Sequence, residues 1–175
     1  MLELKKIFSR EGIVDPLISL PKFSPDGKRL TFLKGKADQP KVLDLWEVDL
    51  ASGEQSCLVD SSELGGDSSE LSKEEKDRRE RLRLFSMGIV SYQWAPNSEM
   101  ILFPIAGKLY IWDAASKSVK SLNDKPTNMM DPKFSHNSSF ITFTENQNVK
   151  KIDLATGDIS DLTDEGAGDI KMRRS

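Results

Sequence analysis

Three copies of one strand-and-turn pattern predict an all-β chain built of four-stranded antiparallel units. The second copy shows the pattern best. Trp94 leads through a Pro-Asn-Ser turn into an apolar strand at 100–103, a polar break at Gly107 and Lys108, and an apolar strand at 109–112 that ends on Asp113. The third copy takes the same steps from Phe134 to Asp153, over a span of equal length. The turn after the third strand is the other observation. It reads Asp49-Leu50-Ala51-Ser52-Gly53, Asp113-Ala114-Ala115-Ser116-Lys117 and Asp153-Leu154-Ala155-Thr156-Gly157. Aspartate and Ser/Thr there can bond nearby backbone N–H groups, and Gly or Lys stands where the chain reverses. Four short strands per ~40 residues, in series, are the signature of β-propeller blades. The expected fold is therefore a partial β-propeller of about three four-stranded antiparallel blades. A generic antiparallel meander or sandwich is the competing architecture.

Taken in order, residues 1–20 form a lead-in. Leu2, Leu4 and Ile7 suit either a strand or a helical turn, and residues 17–20 run into Pro21 at a strand start. Blade 1 is expected at 21–60. Pro25 presets a turn, and Asp26 and Gly27 tolerate its left-handed conformations. Strands follow at 29–33, 43–50 (anchored by Trp46) and 55–59, with a longer polar hairpin at 34–41. Residues 61–91 break the repeat with a linker and a charged insert. The linker, 61–69, is rich in Ser and Gly. A helix is predicted over about 72–84: Ser72 and Glu75 form a capping box, Glu74 and Glu75 sit in the first turn, and Arg78, Arg79, Arg81 and Arg83 lie toward its end. It has few apolar residues before Leu82, so it is either a solvated excursion or a lid that carries arginines to a ligand. Blade 2 is expected at 92–124, blade 3 at 132–164 and a tail at 165–175, with fourth strands at 118–122 and 158–162.

Composition excludes several function classes. The chain has 175 residues, 37% hydrophobic and 30% charged, with net charge −3, so no basic field for nucleic acid is expected. One cysteine, Cys57, excludes an internal disulfide and a cysteine-based metal site; in its strand it is expected to pack as a small hydrophobe. No apolar run reaches the ~18 residues of a membrane span. The first residues lack the apolar core of a signal peptide, so the chain is expected to stay where it is made.

Catalytic motifs are missing too. A serine hydrolase needs a base beside its nucleophile. The one histidine, His136, stands in a turn where the other copies carry Pro25 and Pro96. There is no G-x-S-x-G, P-loop, G-x-G-x-x-G or H-E-x-x-H motif. Trp46, Trp94 and Trp112 fall at blade-core positions. No catalytic residue, cofactor or metal site is expected.

Four collinear segments are nevertheless specific: 22–35 (KFSPDGKRLTFLKG), 43–53 (LDLWEVDLASG), 71–83 (LSKEEKDRRERLR) and 88–98 (GIVSYQWAPNS). Together they resemble the N-terminal propeller of bacterial dipeptidyl peptidase IV, in the prolyl oligopeptidase family of serine peptidases. The insert followed by G-I-V-x-Y-Q-W is the specific part. The resemblance implies an eight-bladed propeller joined to an α/β-hydrolase domain that removes N-terminal dipeptides, typically after proline or alanine. It implies that the propeller filters access, that a glutamate pair holds the substrate amine, and that an arginine of the insert holds a peptide carbonyl. Arg78 and Arg79 match that arginine, and the residues do not choose between them.

The chain departs from that family in several ways. Glu165 has no glutamate beside it, and these 175 residues hold no hydrolase domain. The family is exported to the periplasm, whereas the missing signal peptide points to the cytoplasm. The expectation is a non-catalytic fragment, inactive alone, whose partners are the missing blades and hydrolase domain in cis or trans. Peptide substrate would bind only in the complete enzyme. An open arc would expose one hydrophobic end surface and tend to self-associate. The alternative is an independent protein-binding scaffold of WD40 or TolB type.

Overall fold

A computed structural model describes residues 18–64, 87–123, 125–127 and 129–164. The predicted helix, Arg78, Arg79 and Glu165 lie outside the described residues.

Blade 1 comprises β1 (Ile18–Phe23), β2 (Arg29–Gly35), β3 (Val42–Asp49) and β4 (Gln55–Val59), paired in that order and antiparallel. A fifth strand, β5 (Met87–Gly88), joins β3 in parallel, with Met87 beside Val42 and Gly88 beside Leu43. Blade 2 is β6 (Gln93–Trp94), β7 (Met100–Ile105), β8 (Lys108–Asp113) and β9 (Ser118–Ser121). Blade 3 is β10 (Met130–Phe134), β11 (Phe140–Glu145), β12 (Asn148–Asp153) and β13 (Ile159–Asp161). The predicted all-β architecture of four-stranded blades is the one observed.

The repeated turns work as their residues dictate. The Asp49 carboxylate accepts the N–H groups of Ala51 (3.0 Å) and Ser52 (2.8 Å), and Asp153 accepts those of Ala155 (2.9 Å) and Thr156 (3.2 Å). In the middle copy Asp113 accepts the Ala115 N–H (3.1 Å) and the Ser116 hydroxyl (2.9 Å). These bonds, the Ser52 N–H first, hold the Asp49 carboxyl below the ordinary carboxylate range. Gly53, Lys117 and Gly157 follow with positive φ, so the middle copy of this position tolerates a lysine in left-handed backbone. The hairpins of blades 2 and 3 pass through two positive-φ residues each, Ala106-Gly107 and Asn146-Gln147, the conformation that matches strand twist.

Strand alternation decides the core. On β7, Ile101, Phe103 and Ile105 face blade 1 and pack with Leu33, Leu43, Leu45, Val59, Ile89, Tyr92, Tyr110 and Trp112. Leu102 faces the other way and packs with Leu109, Ile111, Ile141, Phe143 and Ile152 toward blade 3. Blade 2 is therefore apolar on both faces, which explains why its strands read as continuous apolar runs.

The inner strands of blades 1 and 3 carry the same defect. β1 shifts register between Ser19 and Lys22, and β10 between Met130 and Lys133. Each bulge holds a proline, Pro21 or Pro132, where no ladder donor is needed. Each proline follows a left-handed residue, Leu20 (φ 52°) or Asp131 (φ 52°).

Three expectations need correction. The linker expected from Ser61 begins instead as a 3-10 turn, Ser61–Leu64. Ser61 is fully buried, because its N–H and hydroxyl satisfy the buried Asp44 carboxylate (2.9 and 2.7 Å). Cys57 is exposed rather than packed. Its sulfur turns back toward the Leu45 carbonyl (3.8 Å), and partial desolvation, then the nearby Asp44 and Asp60 carboxylates, push the thiol up to about 11. Of the tryptophans only Trp112 is buried; Trp46 is half-buried on the face turned away from blade 2, with the Lys34 ammonium 4.5 Å from its ring centroid. The face of blade 3 turned away from blade 2 mixes apolar and polar side chains. It presents Phe140, Thr142, Thr144, Val149 and Lys151, a mixed set by the alternation that sends Ile141 and Phe143 inward.

Candidate functional site

Among the described residues no group of three or more His, Cys, Asp and Glu side chains is arranged to hold a metal ion. His136 lies exposed in its turn, and its carbonyl accepts the Asn97 side-chain amide (2.6 Å). Among the described residues no helix is long and apolar enough to cross a membrane. The chemistry that the structure does concentrate is at the joint between blades 1 and 2.

Tyr92 is the centre of that joint. It is 4% exposed, and its hydroxyl lies 2.7 Å from the Leu20 carbonyl and 2.8 Å from the Thr31 carbonyl, so one O–H serves two acceptors on two strands of blade 1. Trp94 Nε1 donates to Thr31 Oγ1 (2.9 Å), which in turn donates to the Lys22 carbonyl (3.1 Å). The Lys22 ammonium closes the circuit by donating to the Tyr92 carbonyl, 4.8 Å from the Tyr92 ring centroid. Burial lowers the Lys22 pKa. Trp94 also meets Trp112 edge-to-face, with centroids 6.5 Å apart at 87°. The Arg29 guanidinium lies 5.3 Å from the Trp94 ring centroid and forms ion pairs with Glu47 (3.7 Å) and Glu99 of blade 2 (3.2 Å).

A second polar cluster anchors the base of blade 1. Lys36 pairs with Asp44 (3.2 Å) and with Asp60. Burial alone would lower the Lys36 ammonium, but hydrogen bonds to Asp60 and Asp44 outweigh it and raise its pKa. Every charge here has a partner, so the cluster is structural.

Sequence reasoning placed Trp94 at the blade core but missed Tyr92, Thr31 and Lys22. The available signal was the inner-strand triplet: Pro21-Lys22-Phe23, Tyr92-Gln93-Trp94 and Pro132-Lys133-Phe134. Tyrosine stands where the other two copies carry a bulge proline.

Tyr92 makes a testable link to pH. Burial pushes its hydroxyl up to about 12, against about 10 in an unfolded chain. The fold thus favours the protonated form. This stabilisation is complete below about pH 10 and is lost as pH rises toward 12. Tyr92→Phe removes the donor to Leu20 and Thr31 and should cost about 1–3 kcal/mol at neutral pH. Urea unfolding of both proteins should show the gap closing between pH 10 and 12. Tyr110, Cys57, Lys36 and Lys150 are also raised and contribute equally to both, so a gap that persists at pH 12 would refute the assignment.

Stacked four-stranded meanders, joined through their inner strands, define an arc of β-propeller blades. The chain is similar to several solved propeller structures and matches no family model. TolB from Acinetobacter baumannii superposes with TM-score 0.53 at 14% identity, over 86% of this chain and 33% of that one. A protein described as TolB from Agrobacterium tumefaciens gives 0.55 at 17% identity, over 85% and 50%. The β-propeller domain of the Trilobed protease from Pyrococcus furiosus, described as having an open velcro topology, gives 0.55 at 16% identity, over 83% and 43%. The chain thus spans a third to a half of the length of these structures, and at such identities the likeness establishes the fold alone.

Proposed function

We propose that this chain is a non-catalytic propeller segment of a dipeptidyl peptidase IV-like serine peptidase. In the complete enzyme it would serve substrate access and N-terminal dipeptide recognition, with Arg78 or Arg79 contacting a peptide carbonyl. The observation that carries this reading is where the specific motif lies. In G-I-V-S-Y-Q-W, Gly88 packs on Leu43, Ile89 fills the core between blades 1 and 2, and Tyr92 and Trp94 bind blade 1. A motif used to join two blades around an insert is one that a propeller peptidase of this kind would keep. The complete product of the coding region should then cleave a Gly-Pro chromogenic amide. Of Arg78→Ala and Arg79→Ala, one should raise KM about tenfold, the loss of a charge-assisted hydrogen bond. A product with no hydrolase domain, or one that hydrolyses nothing, sinks this reading.

A second reading has comparable support, from the two TolB structures among the neighbours. In it the chain belongs to an independent protein-binding scaffold of TolB or WD40 type. That reading predicts a stable protein complex in pull-downs with the complete product and no peptidase activity.

A further inference from the structure

The two joints in this chain follow one rule, and the free side of blade 3 fits it. At each joint the middle residue of an inner-strand triplet reaches the first residue of the next triplet. Lys22 donates to the Tyr92 carbonyl, and Gln93 donates to the Pro132 carbonyl. The last residue of the next triplet meets a matched position on the second strand. At the first joint this pair is polar, with Trp94 donating to Thr31. At the second it is apolar, with Phe134 packing in the cluster that contains Leu102. Register places Thr142 on β11 where Thr31 stands on β2: Thr31 pairs with Lys22, and Thr142 pairs with Lys133.

Blade 3 therefore presents the pair of the first joint, Lys133 and Thr142, on its open side. Among the described residues Lys133 forms an ion pair with Asp131 (3.2 Å), and both side chains are more than half exposed, so the ion pair is weak and exchangeable. Lys151, on the same face and 5.9 Å from the Phe140 ring, adds a second cation. At the first joint a carboxylate, Glu99, crosses from the incoming blade to Arg29.

We infer that this face receives a fourth blade whose inner triplet ends in a tryptophan that donates to Thr142, with its first carbonyl on Lys133 and a carboxylate near Lys151. Blade order follows chain order at both joints, so the occupant is the polypeptide that follows blade 3. A second copy of this chain fits poorly. Its blade 1 would bring Phe23, whose side chain has no N–H, to Thr142, and its Phe32 is already only 6% exposed. The inference rests on the propeller fold and holds under either proposed function.

The test appends a copy of residues 90–127 after Ser175 of the full chain. This copy brings its own Tyr-Gln-Trp triplet and glutamate. Amide exchange in β11 and β12 should slow about tenfold or more. Thr142→Val should cost the extended chain about fivefold of that protection and leave the unextended chain unchanged, and a Trp-to-Phe change in the added copy should not add to it. A folded added blade with unchanged exchange, or an equal effect of Thr142→Val in both chains, overturns the inference. Should the extended chain fail to fold, the peptide acetyl-SYQWAPNSE-amide is titrated into the original chain. NMR shifts at Lys133 and Thr142 that vanish in Thr142→Val support the inference, and no shift up to millimolar peptide overturns it. Dimerisation of the original chain that Thr142→Val abolishes overturns it in favour of self-association.

Discussion

Phe103→Ala should cost about 3–5 kcal/mol, the usual penalty for emptying a fully buried aromatic site. Phe103 is 0% exposed and sits in the core between blades 1 and 2. It stacks on Tyr110 with centroids 5.8 Å apart and planes at 13°. The loss includes the transfer of the ring, the cavity left behind, and the stacking of about 0.5–1.5 kcal/mol. Rigid backbone on both sides prevents collapse, since β7 is paired along its length with β8. A domain is commonly stable by only about 5–15 kcal/mol, so this one change should remove much of the total. Urea unfolding followed by circular dichroism measures it. Leu162→Ala, at a residue 51% exposed, is the control and should stay within about 0.5 kcal/mol. A Phe103→Ala effect as small as the control would mean that blades 1 and 2 do not stack as described.

Gly88→Ala should cost about 2–4 kcal/mol, from left-handed backbone and overpacking together. Gly88 has φ 75°, and a Cβ there would collide with the Leu43 carbonyl oxygen and lie 2.8 Å from Ser61 Oγ and 3.0 Å from the Leu43 nitrogen. The main chain cannot yield easily, because the Met87 N–H bonds Lys41 O (2.7 Å) and the Ile89 N–H bonds Leu43 O (3.0 Å) on either side. Gly53→Ala separates the two causes. Gly53 has φ 73° but nothing within 4 Å of its Cβ position, so only the backbone cost of roughly 1–2 kcal/mol applies. Thermal unfolding of the pair gives the difference. Equal effects would mean that β5 is not held against β3.

The repeat itself was legible because its residues act locally. Asp49, Asp113 and Asp153 each accept hydrogen bonds from residues two and three positions on, so the turn is written in consecutive positions. The all-apolar strands of blade 2 likewise announced burial on both faces. The environment of Ser61 was not legible. A Ser-rich stretch reads as linker, and only the fold brings it to Asp44, seventeen residues earlier in the chain. Cys57 was misplaced for a similar reason. A strand has two faces, and alternation alone does not say which face another blade will cover.

The candidate site divides the same way. Pro21, Tyr92 and Pro132 share one position in the repeat, and their difference is visible in the letters. That Tyr92 ties Leu20 and Thr31 together could be seen only when strands 72 and 61 residues apart came into contact. The blade unit, its turns and the order of the blades are set by residue order, because turn chemistry and strand period depend on near neighbours. The tertiary structure alone decided which faces are closed, which polar groups join one blade to the next, and that Lys133 and Thr142 stand together on the open side. Those outcomes depend on stacking, and stacking unites residues that no local pattern connects.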